Sequence, residues 1–228
     1  MPRRIEGLGV RPDYRRVKQS LWRVMAVMLL SLSPLVAAGS ANVTPAAQAL
    51  PALINLLNQF QQLHLRFEQQ ATGPGGERQQ GDFYLQRPAQ FRLESLDQPL
   101  VVSDGETIYE YDALLAQLKL QTFDSLDSLS PAKVLLMSEA ELSASFVVTF
   151  DSAEGATEGF VLVPTKTTSL IAWVRMTFAG GVPRQITLMT QSKMQVSITL
   201  SLVSLNEALP SALFQFEMPE GTDVIDDR

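Results

Sequence analysis

Leu63-His64-Leu65-Arg66-Phe67, Asp82-Phe83-Tyr84-Leu85-Gln86 and Phe91-Arg92-Leu93-Glu94 decide the fold of this chain. In each run apolar and polar residues alternate, so successive side chains point to opposite sides, as on half-buried β-strands. Gly73-Pro74-Gly75-Gly76 supplies a turn after the first run. The alternation then continues outward. Leu100 to Val102 leads into Ser103-Asp104-Gly105 and on to Ile108–Tyr111. Asp-Gly between two such runs is a strong hairpin signal. Leu118 and Leu120 alternate with Lys119 and Gln121, and strand patterns resume at Phe146–Phe150, Phe160–Val163, Ile171–Phe178, Gln185–Thr190, Gln195–Val203 and Phe214–Phe216. That makes about ten to eleven strands.

Helical spacing frames this β region. Thr44-Pro45 reads as a cap followed by proline at the first helical position. Leu50, Leu53, Ile54, Leu57 and Phe60 then form an apolar stripe, which predicts an amphipathic helix over 46–61. Ser130-Pro131 opens a short helix, Ala132 to Met137. Sequential strands with short turns imply antiparallel meander pairing. The fold class is α+β: a curved antiparallel sheet or incomplete barrel, with helices against its concave face.

Residues 1–41 are set apart by composition. Of the 228 residues, seven basic ones and only Glu6 and Asp13 lie in this segment. Its basic start, the uncharged apolar stretch Val24 to Ala38 and the small residues Ala37-Ala38-Gly39-Ser40-Ala41 have the layout of a secretory signal peptide, with cleavage near 38–41. The apolar stretch is short for a membrane span, which needs about 20 residues, so no stable membrane insertion is expected after cleavage. Residues 42–228 then form one domain with 11 basic and 22 acidic residues. So acidic a body does not bind nucleic acid by neutralising phosphates. It favours solubility and attraction to a basic partner surface.

Reactive chemistry is sparse. With no cysteine, disulfides, thiolate metal sites and a cysteine nucleophile are excluded, as is an N-terminal lipidated cysteine. The one histidine, His64, sits in a strand pattern and is read as a polar-face residue. Asp124/Asp127, Glu139/Glu141 and Asp226/Asp227 lack calcium-loop spacing and are read as solvated charge. Nucleophile elbow, P-loop and dinucleotide fingerprints are missing. The reading is therefore no enzyme, no catalytic residue, no metal and no cofactor. Apolar residues are plentiful on the strands, a pattern that an ordinary core also satisfies.

Several segments, taken in order, resemble the LolA family of outer-membrane lipoprotein carriers. They are Leu63–Gln69, Gly81-Asp82-Phe83-Tyr84-Leu85-Gln86-Arg87-Pro88-Ala89-Gln90-Phe91-Arg92, Val102-Ser103-Asp104-Gly105 through Tyr111, Ser130-Pro131-Ala132-Lys133-Val134-Leu135-Leu136, and Pro219 through Asp227. The resemblance implies an incomplete, unclosed barrel of about eleven strands with a helical lid over an apolar cavity. It implies a periplasmic carrier that takes acylated lipoproteins from an inner-membrane LolCDE-type ABC release complex and passes them to a LolB-type outer-membrane acceptor. The family's lid-locking arginine falls on Arg87, and Pro88 restricts its backbone to extended conformations. Pro131, Val134, Leu135 and Leu136 are the candidate lid. Phe91, Leu93, Ile108, Leu118, Trp173, Met176, Leu188, Met194 and Ile198 are the candidate acyl-binding cavity. A monomer is expected. The competing readings are a carrier of another lipid or glycolipid, an RseB-like lipid or stress sensor, and a lipid hydrolase.

Overall fold

The computed structural model describes residues 45–72, 78–96, 98–123, 131–151 and 158–228. The expected signal segment, the Gly73–Gly76 turn, Asp124, Asp127 and Ser130 lie outside them.

Strand alternation produces a single sheet of twelve strands among the described residues. After helix α1 (Pro45–Leu57) come β1 (Gln62–Ala71), β2 (Arg78–Gln86), β3 (Gln90–Ser95), β4 (Leu100–Asp104), β5 (Thr107–Asp112) and β6 (Gln117–Thr122). Helices α2 (Pro131–Leu136) and α3 (Glu139–Ser145) follow. They lead into β7 (Phe146–Phe150), β8 (Glu158–Pro164), β9 (Ile171–Ala179), β10 (Val182–Thr190), β11 (Gln195–Leu205) and β12 (Asp223–Asp226). The spatial order is β12-β6-β5-β4-β3-β2-β1-β11-β10-β9-β8-β7, with β12 and β7 as free edges, so the barrel is not closed.

Two meanders make up this order, and one long-range pairing joins them. β1 lies antiparallel to β11, with residues 63–71 against residues 196–205. Alternate strand residues line the concave side: Leu63, Leu65 and Phe67 on β1, Phe83 and Leu85 on β2, Ile186 and Leu188 on β10 are all buried. Helix α1 buries Ala49, Leu53, Leu56 and Leu57 and packs on β7 and α3. Its stripe of i, i+4, i+7 spacing is what the concave face lacks at that end.

The C-terminal segment departs from the sequence reading. The Phe214–Phe216 strand is not formed; Ser211–Phe214 is a 3₁₀ turn instead. Phe214 is buried, and Arg92 donates to the Leu213 carbonyl at 3.3 Å. Phe216 stacks on Tyr109, and its centroid lies 5.5 Å from those of both Tyr109 and Tyr111. Asn206 starts the crossing: its Oδ1 accepts from the Gln61 N–H at 2.7 Å and its Nδ2 donates to the Gln59 carbonyl. The chain then straps the convex face and adds β12 parallel to β6, an element that the alternation in 214–216 does not foreshadow.

Helix α3 has a cap that the residues encode locally. The Ser138 hydroxyl accepts from the Glu141 N–H at 3.3 Å, while the Glu141 carboxylate accepts from the Ser138 N–H at 2.7 Å. This reciprocal box assigns Glu141 a structural role in place of the free solvated charge read from the sequence. Hydrogen bonds from the Ser138 hydroxyl and backbone hold the Glu141 carboxyl below its ordinary value. The box therefore contributes fully above about pH 4.3, the ordinary glutamate value, and is lost as pH falls through the lower folded-state value. Ser138→Ala should cost about 1 kcal/mol in urea unfolding at neutral pH. The gap to the parent should close as pH falls through the lowered folded-state value of Glu141; a gap independent of pH would remove the carboxylate from the account.

Candidate functional site

Under α2 the concave face leaves a cavity of about 210 Å³. Its apolar wall is built from inward positions of β1 to β5, β10 and β11, with Phe67, Phe83, Phe91, Leu93, Val101, Ile108, Ile186, Ile198 and Leu200. Ala132 and Leu135 of α2 form the roof. A larger open groove of about 660 Å³ carries Arg66, Asp82 and Glu94, charges unsuited to hydrocarbon.

Of the residues expected along the cavity, Phe91, Leu93, Ile108 and Ile198 line it. Met176 and Leu188 point into the same core but do not reach it. Three expectations need correction. Leu118 stands opposite Tyr111, whereas cavity-lining Ile108 stands opposite Gln121, so Leu118 belongs to the convex face beneath the C-terminal strap. Trp173 has the parity opposite to Met176; it pairs with Met189 and carries the Arg175 guanidinium 5.2 Å from its ring. Met194 sits at the β10–β11 turn and is 45% exposed. Single-residue steps along a strand reverse the face, and that parity separates these residues from the cavity. The sequence reading does not place Phe67, Phe83, Val101 and Ile186 in the cavity, although for Phe67, Phe83 and Ile186 alternation with polar neighbours marks the same face.

In the candidate lid, Pro131 begins α2, Leu135 faces the cavity, and Val134 and Leu136 are buried. Arg87 follows the last residue of β2 and points back beneath the helices. Its Nη2 donates to the Leu57 carbonyl at 2.8 Å and to the Leu135 carbonyl at 2.7 Å, and its Nε donates to the Phe60 carbonyl at 3.2 Å. The guanidinium carbon lies 5.2 Å from the centre of the Phe60 ring. The last carbonyls of a helix have no partner within it and attract cations. One planar fork thus serves the C-terminal ends of both α1 and α2. Burial lowers the Arg87 pKa from its ordinary value.

Several other ionisable groups form structural pairs. His64 Nε2 lies 2.8 Å from Asp82 Oδ1, and the His64 ring stacks on Tyr84. Asp104 accepts from the N–H groups of Glu106 and Thr107 at 2.9 and 2.8 Å and from the Tyr109 hydroxyl at 3.0 Å, closing the β4–β5 hairpin. Among the described residues, no group of three or more His, Cys, Asp or Glu side chains is placed to hold a metal, and no helix is long and apolar enough to cross a membrane.

Comparison with known proteins places this architecture. An uncharacterized conserved protein from Thermus thermophilus superposes with a TM-score of 0.50 at 10% identity, covering 79% of this chain and 99% of that one, a likeness of fold alone. The outer-membrane lipoprotein carrier protein of Azotobacter vinelandii is 30% identical over 208 residues, which is 89% of this chain and 99% of that protein. The protein of the same description from Pseudomonas aeruginosa is 32% identical over 182 residues, covering 78% and 87%. Residues 58–217 match the model of the outer membrane lipoprotein carrier protein LolA family. The chain belongs to that family.

Proposed function

We propose that this protein is a periplasmic carrier that binds the acyl chains of lipoproteins released from the inner membrane and delivers them to an outer-membrane acceptor. The observation that carries this reading is an apolar cavity roofed by a short helix whose end is held by a half-buried arginine, in a chain of the lipoprotein carrier family. Residues 1–41 act as the export signal and are removed. The donor is a LolCDE-type ABC complex and the acceptor a LolB-type protein. Arg87 locks the lid, α2 is that lid, and no catalytic step is required of the chain.

Magnitudes favour a lid that moves. Three acyl chains of about fifteen methylenes, fully buried at ~0.8 kcal/mol each, would yield on the order of 35 kcal/mol. That exceeds the practical ceiling of roughly 20 kcal/mol for non-covalent affinity, and such a complex would not release. The resting cavity of 210 Å³ is also smaller than the roughly 300–1,000 Å³ of ordinary small-ligand sites. Cargo enters only by displacing α2, and the cost of opening offsets part of the burial.

The test is co-expression of the mature chain with a lipoprotein and purification without detergent. A soluble complex should form with acylated cargo and not with cargo lacking its lipidated cysteine. If none forms, the carrier reading fails, and lipid extracted from the purified protein would separate a glycolipid carrier from a sensor.

A further inference from the structure

The cavity is not lined by hydrocarbon alone. Gln69, Gln79, Glu110 and Gln121 share it with the phenylalanines and leucines. Their strand parity makes this placement firm. Gln69 stands opposite Gln79 on β2 and opposite cavity-lining Ile198 on β11. Glu110 stands opposite Val101, and Gln121 opposite Ile108, both cavity residues. All four are partly buried. Inward strand positions normally carry apolar side chains, and half-burying an amide or carboxylate there costs free energy unless a partner is supplied. A site built only to hold alkyl chains gains nothing from them.

The four groups sit on two walls, β1–β2 and β5–β6, with the apolar floor between. Gln69 Nε2 donates to Gln79 Oε1 at 3.2 Å. The pair thus offers a carbonyl oxygen from one amide and an NH₂ from the other. The opposite wall offers an amide and a carboxylate. This is a set of donors and acceptors suited to ester carbonyls, an amide carbonyl and an amide N–H. The acylated cysteine of a lipoprotein presents those groups where its chains converge.

Resting on the carrier reading, we propose that Gln69, Gln79, Glu110 and Gln121 form a polar collar that binds the ester and amide linkages of the cargo's acylated cysteine, while the chains occupy the apolar floor. The amide NH₂ groups donate to the ester and amide carbonyls, and Glu110 accepts from the N–H of the cysteine. The collar discriminates triacyl-cysteinyl cargo from lipids that present hydrocarbon alone.

The experiment compares two probes on the purified mature chain: a synthetic tripalmitoyl-cysteinyl peptide and the hydrocarbon dye diphenylhexatriene. The double variant Gln69→Leu/Gln79→Leu should bind the lipopeptide at least about tenfold more weakly and the dye as well as the parent does. Gln80→Leu, one residue along on the outer face of β2, should change neither. Gln121→Leu, on the other wall, should act in the same direction and keeps the test decisive if the double variant does not fold. Equal loss for both probes, or no loss for the lipopeptide, overturns the collar and leaves the carrier reading standing. A parent chain that binds the dye but not the lipopeptide overturns both.

Discussion

Arg87→Leu should load cargo and fail to hand it on, with transfer to the acceptor slowed at least about tenfold. In the closed state one guanidinium donates to the carbonyls of Leu57, Phe60 and Leu135. Hydrogen bonds from a charged donor contribute roughly 1.5–3 kcal/mol each. Losing the one to Leu135 of α2 lowers the cost of lifting that helix by at least the ~1.4 kcal/mol that corresponds to a factor of ten in rate or equilibrium. The cargo-filled, open state then lies lower relative to the empty, closed one, and the downhill step towards the acceptor flattens. The isobutyl group still covers Phe60, so folding should survive with a modest loss. Arg87→Lys keeps the charge but not the fork and should fall between. The measurement is the rate at which radiolabelled lipoprotein moves from the purified complex to acceptor-bearing membranes; a parental rate for Arg87→Leu removes Arg87 from the latch.

Gly81→Ala should be the most destabilising small substitution in the sheet, at about 3 kcal/mol or more. Gly81 stands opposite Phe67 on β1 and Ser95 on β3. A Cβ there would overlap the Glu94 carbonyl oxygen and press the Phe67 ring at 2.8 Å. Backbone cannot give way without breaking the β2–β3 ladder, and Phe67 is part of the cavity wall. Gly180→Ala is the contrast: its φ of +61° is strained for alanine, but nothing lies within 4 Å of the added carbon, so a cost of about 1 kcal/mol is expected. Urea unfolding of the three proteins gives the comparison directly. A Gly81→Ala loss no greater than that of Gly180→Ala would mean that the strands can part at little cost.

Much of this architecture is legible in the sequence because alternation is a local signal. The strand runs from Leu63 to Leu120 and from Phe146 to Val203 announce themselves residue by residue, and so does the Asp104-Gly105 hairpin. Face assignment is less secure. Trp173 and Met176 are both large and apolar, but they differ in parity, so composition groups what geometry separates. The reverse error hides the collar: Gln69 continues the parity of Leu65 and Phe67, but its polarity suggests the outer face. Arg87 stands out by its Arg-Pro context and family likeness, whereas its three acceptors are main-chain carbonyls that no side-chain pattern reveals. The cap at Ser138–Glu141 has a legible spacing, but Glu139 beside Glu141 reads first as paired solvated charge. The C-terminal strap depends on Phe214, Phe216 and Asn206 meeting residues far along the chain, a tertiary fact with no local signature.

The β1–β11 seam has a consequence for the order of assembly. Its pairing of residues 63–71 with 196–205 is among the most non-local in the sheet, and pairings of that kind form late because a long loop must close first. A chain folding from its N-terminus can complete the β1–β6 meander early, but β1 keeps an open edge until the last long strand arrives. The two halves therefore cannot lock together until β11 is available. Premature assembly of the concave surface is disfavoured by topology alone. Its completion waits for almost the whole chain.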